Sequence, residues 1–232
     1  MITSKNDSAE HNRSVIIAGG GSGNRMGTTI PKQFLLLQNR PVLMHTIQRF
    51  FDFDKNIEVI LALPESQINY WKNLCKELDF NFKHIVVEGG ATRFHSVKNA
   101  LALIKTEGFT AVHDAVRPFV SIETIKKCFE TAAEKNNAIP VIEPVDSLRI
   151  IMKNENFICN RELIRMVQTP QIFKTSILKK AYEQEYSERF TDDASVVENL
   201  DIKITMINGN RENIKITSPL DLVIGEAILN LC

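Results

Sequence analysis

The sequence contains no long apolar run, and nowhere approaches the ~20 residues needed to cross a bilayer. Neither sign of charge is in excess: Lys plus Arg number 28 and Asp plus Glu number 28. No whole-surface footprint for nucleic acid or an anionic membrane is therefore expected, although a local basic pocket stays open. Cysteine is sparse, with Cys75, Cys128, Cys159 and Cys232 far apart and no C-x-x-C pair. That argues against a disulfide or zinc framework and for a reducing, cytoplasmic setting. The polar residues 1–13 lack the apolar segment of a secretory signal and read as a disordered lead. Internal repeats and low-complexity blocks are absent, and the histidines form no ligand-spaced cluster. What is present is ordinary for a globular chain. Of 232 residues, 44% are hydrophobic and 24% charged, enough for one substantial core.

Strand-like and helix-like segments alternate. Short apolar runs at 14–18, 57–63, 83–87, 109–113 and 138–142 suit buried parallel strands. Helical patterns fall between them at 41–51, around the stripe Ile68, Trp71, Cys75 and Leu78, around Phe94, Val97, Leu101 and Ile104, and at 122–134. This rhythm predicts an α/β, Rossmann-like three-layer sandwich with a mainly parallel twisted sheet, forming one domain over 14–232. Residues 143–161 break the rhythm with Pro144, two short β-prone pieces and a KNEN turn, and read as a protruding β-arm. Beyond it, the pattern predicts a helix over 175–187, a second helix capped by Thr191, and strands at 202–207 and 214–217. A last helix opens on Ser218-Pro219-Leu220-Asp221, a cap, an N1 proline and an acidic N3.

Five of the ten glycines lie between Gly19 and Gly27, in AGGGSGNRMG directly after the first strand. Such a loop lets main chain approach a ligand closely and presents free N–H groups to an anion. The dinucleotide fingerprint fails, because Asn24 and Met26 occupy the third-glycine positions, and no glycine-lysine pair makes a Walker loop. Instead Arg25 sits in the loop and Lys32 follows in PKQF. Two cations beside a glycine nest suit a triphosphate whose leaving pyrophosphate develops charge.

In open α/β sheets ligands bind beyond the carboxyl ends of the strands. The third strand is followed by EGGATRFHS, where Gly90 brings backbone close and Ser96 is either a ligand contact or a helix-terminal hydroxyl satisfied locally. HDAVRP follows the fourth strand. Asp114 there suits Mg²⁺ or a loop cap, Arg117 a ligand contact or a structural ion pair, and His113 a packed ring. Arg161, Thr169, Thr191 and Lys215 are ambiguous one by one. A phosphate near Thr191 would be repelled by Asp192 and Asp193 unless cations intervene.

AGGGSGNRMG, PKQF, EGG with Arg93 and Ser96, HDAVRP, Asp146–Arg149, NREL, QTPQIF, TDDAS and NIKIT follow one another in that order. In this the sequence resembles the polyol-phosphate cytidylyltransferases over nearly its whole length. The likeness is greater to the 2-C-methyl-D-erythritol 4-phosphate enzymes of the non-mevalonate isoprenoid route than to the ribitol 5-phosphate enzymes. The resemblance implies that Ala18, Gly19, Gly20, Gly21 and Gly23 line a CTP site. It implies that Arg25 and Lys32, with Lys215, act on the reacting phosphates, and that Gly90 and Ser96 hold cytosine. Asp114 would lie near the ribose and a Mg²⁺ ion. Arg117, Thr169, Thr191 and Lys215 would line the polyol-phosphate pocket. Ser147 and Arg161 would reach from the arm into a partner subunit's site in a homodimer. Ala91 and Asn24 depart from the acidic and basic residues common at those positions.

The chemistry so implied is attack by a phosphate-monoester oxygen on the α-phosphorus of CTP, expelling pyrophosphate. A monoester with a second pKa of about 6 is already nucleophilic near neutrality. The absence of a catalytic histidine or paired-carboxylate signal fits a reaction that needs no general base. Two other readings stand beside it. An NAD(P) oxidoreductase would need the missing fingerprint. A nucleotide-sensing module would need the glycine loop but not Arg25, Lys32 and Asp114 together.

Overall fold

The computed structural model describes residues 12–20 and 30–231. The lead, most of the glycine loop and Cys232 lie outside them, and so do the expectations for Gly21, Gly23 and Arg25.

In chain order the strands are β1 (Asn12–Ala18), β2 (Leu36–Leu37), β3 (Arg40–Pro41), β4 (Glu58–Leu63), β5 (Ile85–Glu88), β6 (Gly108–Asp114), β7 (Asn137–Ile142), β8 (Leu148–Met152), β9 (Glu155–Cys159), β10 (Met166–Val167), β11 (Gln171–Lys174) and β12 (Met206–Asn208). The helices are α1 (Val42–Phe53), α2 (Glu65–Glu77), α3 (Arg93–Leu101), α4 (Ile122–Lys135), α5 (Thr175–Tyr182), α6 (Asp193–Glu198) and α7 (Pro219–Leu231).

The main sheet has eight strands in the order β10-β7-β11-β6-β1-β4-β5, with β12 also on β7. β1 pairs in parallel with β4 and β6, and β4 with β5. β11 runs antiparallel between β6 and β7, so β7 keeps the parallel direction. Both faces of the central strands are apolar, as parallel strands covered by helices require. On β1, Val15 and Ile17 join one core with α1, α2 and α4, where Trp71 is fully buried. Ile16 faces the other way, into a second core with α3, α5 and α6. The chain is the three-layer α/β sandwich that its alternating rhythm predicts.

The differences are local. The tetrapeptide β11 carries only Ile172 and Phe173 as an apolar signal, too short to stand out after Pro170. α5 ends at Tyr182 rather than 187, because the residues that follow supply no further apolar face; Tyr186 is exposed, and Gln184 Nε2 donates to the Ala181 carbonyl at 2.8 Å. The expected strand 202–207 shortens to β12. Residues 214–217 form no strand: their Ile-x-Ile alternation buries Ile216, but their N–H groups go to scattered partners, Ile214 to Glu212 O at 2.6 Å, Ile216 to Val116 O at 2.9 Å beyond the end of β6, and Thr217 to Asp221 Oδ2 at 2.8 Å. Asp192, not Thr191, caps α6, accepting from Ser195 N–H at 2.9 Å in a reciprocal capping box. At α7 the acidic N3 holds: Asp221 Oδ2 accepts from Ser218 N–H at 2.7 Å.

The arm is the antiparallel hairpin β8–β9, a sheet of its own. Ile151 is 71% exposed on it and Ile158 82%. Among the described residues no helix is long and apolar enough to cross a membrane.

Candidate active site

The carboxyl ends of β1, β4, β5 and β6 form one edge, and two cavities open there. The first, about 200 Å³, is lined by Ala18, Gly19, Gly20, Lys32, Gln33, Thr92, Arg93, Ser96, Asp114 and Lys215, among others. The second, about 180 Å³, is lined by Arg93, Asp114, Arg117, Thr169, Gln171, Thr191, Asp192 and Lys215, among others. Arg93, Asp114 and Lys215 belong to both.

The floor of the first cavity is main chain laid tightly on β4. Gly19 N–H donates to Ala62 O at 2.9 Å, and a Cβ on Gly19 would stand 2.7 Å from Leu63 Cδ2 and 3.2 Å from Ala62 O. A larger residue would have to push Leu63 and the β4 main chain aside, so glycine suits so close an approach. PKQF returns to this point. Pro31 leads into a single 3-10 turn at Lys32–Phe34, which presents Lys32 to the cavity and buries Gln33. Gln33 Nε2 donates to Gly19 O at 2.9 Å and to Gln67 Oε1 at 2.6 Å, so the start of the glycine loop is clamped from the side. Nothing in the sequence pattern had singled out Gln33.

Ser96 faces the same cavity but is satisfied locally. Its hydroxyl donates to Thr92 O and accepts from Gly90 N–H, both at 3.0 Å. It pins the Gly89–Gly90 turn, and its one proton is already used. A Cβ on Gly90 would lie 2.3 Å from that of His95, which explains the glycine by packing; Gly90 itself is not on the cavity lining.

Asp114 ends β6, with 9% of its side chain exposed and three cations around it. Lys215 Nζ is 2.9 Å and Arg117 Nε 3.2 Å from Oδ2, and Arg93 Nε is 3.5 Å from Oδ1. Burial alone would raise this carboxyl; Arg93, Lys215 and Arg117 outweigh burial and hold it far below the usual carboxylate range. Arg117 is also anchored through Nη1 to Asn213 O at 2.7 Å, so its structural ion pair and its place on the second cavity coexist. Beneath Asp114 lies a polar chain. His113 Nε2 is 3.0 Å from Arg117 O, which can only accept, so this nitrogen carries the proton. Nδ1 then accepts from Thr169 Oγ1 at 2.9 Å, and that oxygen accepts in turn from Asp114 N–H at 3.1 Å. Burial lowers His113 to about 4, so the ring is neutral, and it packs edge-on against Phe50. Thr169 lines the second cavity, but its proton goes to His113.

Arg93 escaped notice as a site residue in the sequence. It opens α3, lines both cavities and makes a bidentate pair with buried Asp193, with Nη1 to Oδ1 at 2.8 Å and Nη2 to Oδ2 at 2.7 Å. The cation demanded by the acids after Thr191 is therefore present. The other acid, Asp192, accepts from Gln171 Nε2 at 2.8 Å through Oδ2. Ser147 and Arg161 line neither cavity. Ser147 is exposed beside β8, and Arg161 sits by the arm, donating through Nη1 to Val145 O at 2.9 Å.

These residues do not by themselves make a magnesium site. Asp114 and Asp192 are the carboxylates on the two linings, and both are engaged by donors. Among the described residues no three of His, Cys, Asp or Glu stand together in a way that could hold a metal.

Residues 14–231 match the family model IspD, 2-C-methyl-D-erythritol 4-phosphate cytidylyltransferase. The chain belongs to this cytidylyltransferase family. A cytidylyltransferase of that name from Phocaeicola vulgatus is 51% identical over 94% of this chain and 100% of its own. One from Bacteroides thetaiotaomicron is 49% identical over 94% and 99%. Among solved structures, the Thermus thermophilus enzyme of the same name superposes with a TM-score of 0.76 at 32% identity, covering 94% of this chain and 99% of that one. The 4-diphosphocytidyl-2C-methyl-D-erythritol synthase of Anaerococcus prevotii gives 0.80 at 27% identity, over 95% and 96%.

Proposed function

We infer that this chain transfers a cytidylyl group from CTP to 2-C-methyl-D-erythritol 4-phosphate, releasing pyrophosphate, in isoprenoid precursor biosynthesis. One observation carries the inference beyond family membership. Two cavities meet at Asp114, and the cations Lys32, Arg93, Arg117 and Lys215 line them, as two anionic reactants brought into contact require.

We propose that CTP occupies the first cavity, its phosphates on the main chain after β1 and on Lys32, and that the polyol phosphate occupies the second. The phosphate monoester supplies its own nucleophilic oxygen, since its second pKa is about 6. No side chain then has to remove a proton, in keeping with a neutral, buried His113 already bonded on both nitrogens. The barrier is mutual repulsion of anions. Lys32, with Arg25 outside the described residues, neutralises charge moving onto the leaving pyrophosphate. Lys215 and Arg117 hold the attacking phosphate in line.

A magnesium ion belongs to this proposal as a companion of the triphosphate. Phosphate oxygens would supply the hard ligands that the protein side chains do not, and the ion would screen charge on the nucleotide. The exposed apolar arm supports a homodimer in which Ser147 and Arg161 act in the partner's site. Free thiols at Cys75, Cys128 and Cys159 support a cytoplasmic location, and the balanced charge supports neither a nucleic-acid nor a membrane partner.

The test is pyrophosphate release from CTP with 2-C-methyl-D-erythritol 4-phosphate and, separately, ribitol 5-phosphate, with and without Mg²⁺. Turnover that favours the erythritol phosphate is expected. Preference for the ribitol compound moves the assignment to the sister activity, and nucleotide binding without turnover on either makes the chain a sensing module.

A further inference from the structure

Arg93 occupies a place that the local field opposes. It is the first residue of α3, where the helix dipole disfavours a cation, and it lies over Asp114, which already holds Arg117 and Lys215. Its hold on that place comes from the other side. Asp193, fully buried at the start of α6, takes both terminal nitrogens of the guanidinium in a fork. Tyr182 on α5, 2% exposed, donates its hydroxyl to Asp193 Oδ1 at 2.6 Å. The Tyr182 ring stacks on Phe94, the residue after Arg93, at 4.7 Å between centroids.

The guanidinium has five N–H donors. Two go to Asp193 and the one on Nε faces Asp114. One remains on each terminal nitrogen, on a side chain 31% exposed that borders both cavities. Arg93, Arg117 and Lys215 stand against Asp114, Asp192 and Asp193, so what the junction of the cavities offers an anion is directed N–H donors rather than net charge. Without Asp193 the guanidinium would be free to swing onto Asp114 or into solvent, and those donors would lose their fixed direction.

We propose that Asp193, steadied by Tyr182, is a positioning residue for the transfer, locking Arg93 between the nucleotide and the polyol phosphate so that one side chain orients both. The proposal rests on the transferase reading above. It differs from a purely structural role, in which the Asp193–Arg93 pair only ties α6 to α3 and its loss lowers stability alone.

The full-length chain is assayed for pyrophosphate release with each substrate varied in turn, as wild type, Asp193→Asn, Arg93→Gln, the double variant and Tyr182→Phe, with thermal unfolding in parallel. For folded Asp193→Asn, kcat/KM falls about 10²-fold for both substrates, the scale of a misplaced binding group. In the Arg93→Gln background the same change costs less than threefold, because there is no guanidinium left to position. Tyr182→Phe loses two- to fivefold in kcat/KM with its melting temperature nearly kept. Asp193→Asn within twofold of wild type overturns the proposal, and so does an equal loss with and without Arg93. Should Asp193→Asn fail to fold, Tyr182→Phe decides: a several-fold loss supports the proposal and full activity overturns it. A wild-type chain inactive on either polyol phosphate sinks the transferase reading and this proposal with it. An active wild type matched by the variants sinks this proposal alone.

Discussion

The two cavities share a wall but are made of different materials. The first adds fitted main chain to the charges that the two share: Gly19 pressed on β4, a carbonyl clamped by Gln33, and a glycine turn pinned by Ser96, with Lys32 as its own further cation. The second is shaped by charge: Asp114 gathers Arg93, Arg117 and Lys215, and no glycine is on its lining among the described residues. A wall of backbone selects by shape, since a substituent that does not fit has nowhere to go. A wall of paired charges selects by anion geometry and weakens as salt screens it. Nucleotide choice should therefore depend little on ionic strength, and polyol-phosphate affinity strongly.

The shared wall gives the largest expected effect. Asp114→Asn takes their shared counter-ion from three cations, of which Arg93 keeps Asp193, and steady-state kinetics should show kcat/KM down about 10³-fold for CTP and polyol phosphate alike. Loss for one substrate only would mean that the cavities are independent. Next come the cations belonging more to one reactant. Lys32→Ala should lower kcat about 10²-fold, the cost of one preorganised donor, with the KM for polyol phosphate little changed. Lys215→Ala should lower kcat/KM by a similar factor, but through the KM for polyol phosphate. The reverse pattern would exchange the occupants of the two cavities.

A third test probes the scaffold under the second cavity through pH. His113 is held at about 4 by burial, against about 6.5 for the free ring. Above pH 6.5 both folded and unfolded chains carry it neutral, and the full stability is present. As pH falls from 6.5 to 4 the unfolded chain takes up a proton that the folded chain refuses, and stability drops by up to about 3 kcal/mol. His45 and His84, lowered by burial in the same direction, add to the fall. Urea unfolding at pH 7, 5.5 and 4 should show this slope, and His113→Asn should flatten most of it. Asp114 stays ionised throughout this window. The smallest effect belongs to Ser96→Ala. Its hydrogen bonds are to Gly90 N–H in the turn and to Thr92 O at the cap of its own helix, so the variant should lose about 1 kcal/mol of stability in the same assay and raise the KM for CTP only a few-fold.

Much of this was legible in the sequence because it is local. β1, β4, β6 and β7 announce themselves as apolar runs with abrupt ends, and Asp114 follows from its place at the end of β6, whereas Lys215, ambiguous by itself, is picked out only by the family resemblance that NIKIT helps to carry. What was illegible is non-local. β11 enters the sheet out of chain order, between β6 and β7, with two apolar residues as its only mark. Arg93 meets Asp193 across a hundred positions, and Gln33 reaches back to Gly19; neither pairing has a periodicity or a spacing to reveal it. Thr191 misleads because a threonine before two acids looks like a cap, while Asp192 takes Ser195 N–H and the Ala194 N–H three residues after Thr191 goes to Gln171 Oε1 at 2.8 Å.

The sheet register at the root of the arm has an engineering consequence. Ile142 at the end of β7 lies directly opposite Met166 at the start of β10, so the excursion over residues 143–165 leaves and re-enters through one rung of the ladder. Topologically it is a cassette: replaced by a tight reverse turn, it would come out without shifting any strand that carries the catalytic edge. The arm can thus be exchanged or trimmed separately from the main sheet.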